Sequence, residues 1–418
     1  MDRALMDTTI RRLRRELFAT PLDGLVSIAL IALLLAAATA FLRWAFLQAE
    51  WAVIQANSTL FAVGRYPLEQ QWRLWLLTAL LAAATGLSWG LLRGLPHRGR
   101  LGRPWPLNDR LAALALATLA LVIPAGLGLQ PAIQLRWWLL TALLLGVRWA
   151  AGRWARLLPP ALRRWIPLLW PVLYLLGMVL ISGGLGLIQV GPSEWGGLLL
   201  TLVQASFAIL LCFPLGILLA LGRRSELPLL RWGSVLYIEF IRGAPLITLL
   251  FLGQNLLGFL LPGGMAPDRV WRAAWVLTLF AAAYVAEAVR AGLAAVPAGQ
   301  LEAARTLGLP FPQALIHVVL PQALRVALPA TVGQFISLLQ DTTLLSLIGL
   351  LELLGTARAV MANPAFLGRN AEVYLVLAVL FWCCCAALGL GSRALETRLN
   401  PYTSTNATTA TPAAPAQA

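Results

Sequence analysis

Long apolar stretches recur along the sequence from Leu22 to Ala394, separated by short segments rich in Arg, Gly and Pro. The hydrocarbon core of a bilayer is about 30 Å thick and requires about 20 apolar residues per helix. Because that region offers backbone groups no water, each crossing stretch must bond internally as a helix. With 60% hydrophobic and only 12% charged residues, the sequence predicts an all-α, polytopic membrane protein and argues against a soluble domain.

We predict about ten transmembrane helices in two regions. The stretch Gln189 to Trp195, which contains Gly and Pro but no basic residue, divides an N-terminal region (residues 1–190) from a five-helix core (residues 191–400). The tail, residues 401–418, is uncharged and rich in Thr, Ala and Pro, which predicts disorder. The predicted helices lie at residues 22–42, 74–92, 111–129, 133–150, 165–188, 196–221, 235–261, 271–289, 326–350 and 373–394.

The basic residues indicate the topology. All 32 are arginines, and they cluster between apolar segments without forming a continuous basic face with interleaved aromatic residues, as a nucleic-acid partner would require. The positive-inside rule places both termini and residues 291–325 in the cytoplasm, with the chain in the plasma membrane. A competing interpretation is a cleaved signal peptide ending at Ala38-Thr39-Ala40. Its apolar region would span about 7 to 15 residues, shorter than the segment found here.

The chain contains no lysine, which excludes two kinds of chemistry. A phosphate-binding loop ends in Lys-Ser/Thr, and a Schiff base requires a lysine amine. We therefore expect no enzyme activity and no cofactor; ATP hydrolysis, if it drives this protein, occurs on another polypeptide. With four cysteines in apolar stretches and two distant histidines, we also expect neither a disulfide nor a metal site.

One motif stands between the eighth and ninth predicted helices. It reads Glu302-Ala303-Ala304, then Gly308, then Leu320-Pro321. A short helix is predicted from Glu302 to Leu307, ended by Gly308 in the left-handed conformation and by Pro310. The spacing resembles the EAA loop of ABC importer permeases, with Val318 in place of Ile. This resemblance implies coupling to a separate ATP-binding subunit through Glu302, Ala303, Ala304, Gly308, Leu320 and Pro321.

Flanking segments resemble the polar amino-acid permeases. They are Tyr237 to Leu246, Ala283 to Leu293, Leu320 to Arg325 and Gln340 to Leu344. The extra N-terminal helices resemble the longer subunit of general L-amino-acid importers. Three positions depart from the family pattern, because this chain has Ala291, Gln340 and Thr343 where Gly, Lys and Ser are usual. The resemblance implies a binding-protein-dependent importer that carries amino acids into the cytoplasm.

Charged side chains within apolar stretches are the candidates for the substrate pathway. An ionised group at mid-membrane costs about 2.5 to 3.5 kcal/mol on insertion scales, so its presence indicates a polar cavity, a partner or a function. We predict Asp341, Thr342, Glu239 and Arg242 as pathway residues; alternatively, Asp341 pairs with Arg242. Glu287 and Arg290, three residues apart, are predicted to form a structural pair.

The importer prediction implies three protein partners besides the lipid bilayer. These are an ATP-binding subunit, a second permease subunit, which by resemblance is a related heteromer, and a periplasmic or extracellular amino-acid-binding protein; nucleic acid is not expected. Two alternatives remain: an ABC permease for another small polar solute, and a secondary transporter driven by an ion gradient. A secondary transporter would need no coupling loop, and its halves would commonly form an inverted repeat.

Overall fold

A computed structural model describes Leu17 and residues 19–93, 107–126, 128–154, 165–260 and 267–399. The predicted disordered tail, residues 401–418, and the arginine-rich first residues lie outside these ranges. The all-α prediction is confirmed, because the named elements in the described ranges are all helices or helical turns.

Helices of the N-terminal region follow the predicted apolar stretches. α1 begins after a capping box in which Thr20 and Asp23 each accept a hydrogen bond from the other's backbone N–H. Between α1 and α3 lies a helix that the apolar pattern did not predict. The bounds are α1 Pro21–Arg43, α2 Ala52–Val63, α3 Gln71–Arg93, α4 Leu107–Gly126, α5 Pro131–Trp154 and α6 Ile166–Ser182.

The core region contains four long helices and several short ones in the described residues. Their bounds are α7 Gly197–Gly222, α8 Pro228–Gly243, α9 Leu246–Leu260, α10 Arg269–Ala295, α11 Ala298–Thr306, α12 Phe311–Ala314, α13 Leu320–Asp341, α14 Leu353–Met361 and α15 Asn370–Leu399. A π-helical turn, Leu315–Val319, joins α12 to α13, and a 3-10 helix, Thr342–Ile348, follows α13.

Among the described residues, fewer than ten helices have the length and composition of a membrane span. Six helical segments of the described chain are long and apolar enough to cross a membrane, or seven if the pair α8 and α9 forms one broken span. The predicted seventh segment, residues 235–261, is broken in the structure, because α8 and α9 meet at 107°. Pro245 has no N–H for a continuing helix, and it disfavours helical backbone at Ala244, whose ψ is 137°.

The described residues divide into two compact units, with the division between Val53 and Ile54. In the second unit, α10 is the central helix, packed against α7, α8, α9 and α13. Its small residues Ala282, Ala283 and Ala286 are fully buried. This core continues across the predicted boundary near residue 190, because Tyr66 and Ile181 belong to the same buried cluster as Trp195 and Leu200.

Candidate functional site

The predicted coupling loop contains a short helix, α11, which begins after Pro297 and is therefore longer at its start than predicted. It ends where predicted: Gly308 has a φ of 82°, a left-handed conformation that glycine adopts without a Cβ clash. The Gly308 N–H donates to the carbonyl of Arg305, and the Leu309 N–H donates to that of Ala304. These bonds satisfy carbonyls that the helix end would otherwise leave unpaired.

The two faces of α11 differ in exposure. Ala304 is buried, and Leu301 packs against the core cluster. Glu302 and Ala303 are exposed on the other side, and Leu307 is 83% exposed at the end of the helix. Within one motif, one alanine therefore anchors the helix while the glutamate and the other alanine remain available for contact.

The second half of the motif connects this loop to a membrane helix. Leu320 and Pro321 are the first residues of α13, which continues directly from the π-helical turn Leu315–Val319. Because Pro321 has no N–H, it donates no hydrogen bond to that preceding turn. The Gln322 side-chain amide donates to the side-chain oxygen of Gln300 over 3.2 Å. α11 and the start of α13 are therefore linked by a side-chain hydrogen bond and by a short connection.

Glu287, on α10, is the centre of an ion cluster. Its carboxylate lies 2.7 Å from Arg223 Nη1, 2.9 Å from Arg290 Nε and 3.7 Å from Arg242 Nη1. Arg223 also contacts Glu239 at 3.2 Å. The predicted pair of Glu287 and Arg290 is present, and it is part of a larger network.

This ion cluster joins the end of α7 to α8 and α10. Arg242 also lies over the ring of Tyr284, 5.6 Å from its centroid. Sequence reasoning missed the role of Arg223, because it treated that arginine as a topology signal. Its partner Glu287 is 64 residues away along the chain, so no local spacing pattern relates the two.

Asp341 and Thr342 lie at the other end of α13. Asp341 is half-buried, while Thr342 is fully buried and its hydroxyl donates to the Leu339 carbonyl over 2.6 Å. Arg269, the first residue of α10, donates to the carbonyl of Ile348, the last residue of the 3-10 helix that follows Asp341. Glu287 lies about 27 Å further along α10 than Arg269. The alternative pairing of Asp341 with Arg242 is therefore wrong in this conformation, because Arg242 contacts Glu287.

Comparisons with known proteins give the family of the chain. Residues 212–401 match the family model described as "Binding-protein-dependent transport system inner membrane component". The inner membrane amino-acid ABC transporter permease protein YhdY of Escherichia coli (strain K12) is 33% identical over 402 residues, 93% of this chain and 92% of that protein.

A second relative is the glutamate/glutamine/aspartate/asparagine transport system permease protein BztC of Rhodobacter capsulatus. It is 36% identical over 84% of this chain and 78% of that protein. A solved amino acid ABC transporter, crystallised with histidines, is 32% identical over 48% of this chain and 92% of that chain, with a TM-score of 0.44. Because the similarity to YhdY extends over nearly the full length of both proteins, the chain belongs to the amino-acid ABC importer permeases, a family of binding-protein-dependent inner membrane components.

Proposed function

We propose that this permease moves amino acids into the cytoplasm by alternating access, driven by ATP hydrolysis on a separate subunit that contacts α11. The observation that supports this most directly is the exposed face of α11, formed by Glu302, Ala303 and Leu307. A short helix with a small-residue face can enter a groove on a soluble ATPase. Its bond to α13 then transmits movement into the membrane.

The remaining partners are also part of the proposal. An external binding protein delivers the amino acid, and a second, related permease encloses the path with this one. Both termini and the coupling loop lie in the cytoplasm, as the arginine clusters predict. The names of the relatives support amino acids as the cargo, and that of BztC supports acidic and amide side chains in particular.

The coupling role is tested on the full assembly with its ATPase and binding protein. We expect Glu302→Arg and Leu307→Ala to release the ATPase on purification and to abolish hydrolysis stimulated by the binding protein. Gly299→Ala is the matched control on the same helix, because an added Cβ there meets no atom within 4 Å. Amino-acid uptake that persists without any ATPase would instead support an ion-coupled secondary transporter.

For the cargo path we propose Asp341 as a contact for the α-amino group, with Thr342, Glu239 and Arg242 as further pathway residues. In this conformation the last three have protein partners, whereas Asp341 is half-buried at the end of α13. A charge-assisted hydrogen bond contributes about 1.5 to 3 kcal/mol. Asp341→Asn should therefore raise the KM for uptake by roughly tenfold or more. Basal ATP hydrolysis should stay unchanged, and Asp341→Glu should restore part of the affinity.

A further inference from the structure

An open groove lies between the end of α7 and the start of α8. Its volume is about 500 Å³, and leucines from both helices form most of its lining. At its inner end the two helices touch: a Cβ added to Gly222 would lie 2.3 Å from the Ser234 hydroxyl oxygen. The side chains that matter here are Leu215, Leu218, Leu219, Leu230, Ser225 and Ser234.

The groove is continuous with the surface of a membrane span. α7 is long and apolar enough to cross the bilayer, and Leu210 and Leu218 are 49% and 64% exposed on one side of it. Exposed leucines on a membrane-spanning helix are suited to contact acyl chains, which are as apolar as their own side chains. Leu218 also lines the groove, so the surface in contact with acyl chains leads directly into it.

α8 continues this apolar surface on the other side of the groove. Its exposed residues Leu229, Trp232, Leu236 and Phe240 are spaced by 3, 4 and 4, which places them along one helix face. α8 meets α9 at 107°, so it crosses the direction of α9. A helix that carries Trp, Phe and Leu on one face and charged residues beside it is typical of a helix lying in the membrane interface.

Two exposed arginines stand beside the groove. Arg224 and Arg231 are exposed and adjoin groove residues in the sequence. Arg224 Nη1 also lies 3.5 Å from the Leu293 carbonyl oxygen, and Glu226 is exposed in the same turn. Two arginines thus stand against one glutamate beside the groove, which leaves an excess of positive charge. Basic pockets between membrane helices on the cytoplasmic side bind anionic lipid headgroups.

We propose that this groove binds one anionic phospholipid, with an acyl chain along Leu215, Leu218 and Leu230 and the phosphate at Arg224 and Arg231. The apolar lining accounts for the chain and the arginines account for the headgroup, whereas a free phosphate would use only the latter. The bound lipid contacts both α7 and α8, the helices that the ion cluster joins at Arg223.

Native mass spectrometry of the full-length protein in detergent tests the proposal, with phosphatidylglycerol and phosphatidylcholine of identical acyl chains as probes. We expect one phosphatidylglycerol to be retained in preference to phosphatidylcholine. The double variant Arg224→Gln/Arg231→Gln should lower that affinity by on the order of tenfold. Leu230→Trp fills the groove and should weaken both lipids. Arg325→Gln, an exposed arginine outside the groove, is the matched control and should change neither.

Four results would overturn the proposal. Equal retention of the two lipids would show that the anionic headgroup is not recognised. Unchanged phosphatidylglycerol binding in the double variant would show that Arg224 and Arg231 do not bind it. Equally tight binding of glycerol phosphate without acyl chains would make the leucine groove irrelevant. Disulfide cross-linking of a cysteine placed at Leu230 to a second permease chain would show that protein, not lipid, covers the groove.

Discussion

Replacing Glu287 by Gln is the most informative perturbation of the ion cluster. The Glu287 side chain is 19% exposed and accepts hydrogen bonds from Arg223 at 2.7 Å and Arg290 at 2.9 Å. Hydrogen bonds to charged groups contribute about 1.5 to 3 kcal/mol each. The amide oxygen of Gln can retain one of them, but its NH₂ group faces arginine donors. Three arginines then share the single charge of Glu239.

The expected loss is about 2 to 3 kcal/mol in the free energy of unfolding. Removing one partner of a fully buried pair costs about 3 to 5 kcal/mol. The value here is lower because Arg223 is 27% and Arg290 is 42% exposed, so water screens part of the interaction. For a chain of this size we expect the midpoint of thermal unfolding to fall by roughly 5 °C.

The assay is thermal unfolding of the purified protein in detergent, with Glu302→Gln as the control. Glu302 is an exposed carboxylate without a described ion pair, so its replacement should change stability by less than about 0.5 kcal/mol. Arg223→Gln should cost more than Arg290→Gln, because Arg223 contacts two glutamates. A Glu287→Gln variant as stable as Glu302→Gln would refute the conclusion that the cluster fixes α7, α8 and α10 together.

Three further predictions concern single positions. Gly292→Ala should lower the free energy of unfolding by about 1 to 3 kcal/mol in the same assay, because the added Cβ would lie 2.3 Å from the carbonyl oxygen of Ala323. Gly299→Ala, the control, should be neutral or stabilising. Gly308→Ala should lower the free energy of unfolding by about 1 to 2 kcal/mol, because the φ of Gly308 is 82° and an alanine is strained there. The variant should reduce ATPase coupling more than it reduces folding yield. Equal losses would contradict the coupling role. Desolvation raises the pKa of the buried Glu352 carboxyl from 4.5 to about 7, against opposing hydrogen bonds from the Leu354 and Gly355 N–H groups. The folded state therefore binds this proton more tightly than the unfolded state. The contribution of Glu352 to stability is complete below pH 4.5 and is lost as the pH rises through about 7. Glu352→Gln should flatten the pH profile of the unfolding midpoint between those values, and an unchanged profile would contradict this assignment.

The sequence by itself determined much of the helical architecture and the local form of the coupling loop. Apolar stretches must become helices in a bilayer whatever surrounds them, so most of the predicted segments coincide with observed ones. Gly308 and Pro310 end α11 through their own backbone preferences. The motif from Glu302 to Pro321 indicated the family because its spacing is local.

Only the tertiary structure decided which distant groups meet. The sequence left a pairing of Arg242 with Asp341 as one of two alternatives, but packing of α8 across α10 brings Arg242 to Glu287. Arg223 reaches the same carboxylate from the end of α7, and the bend at Pro245 sets the angle of α8. Periodicity describes the faces of one helix at a time. Contacts between helices depend on how close their backbones come, which small residues such as Gly222 and Gly292 permit and which no local pattern records.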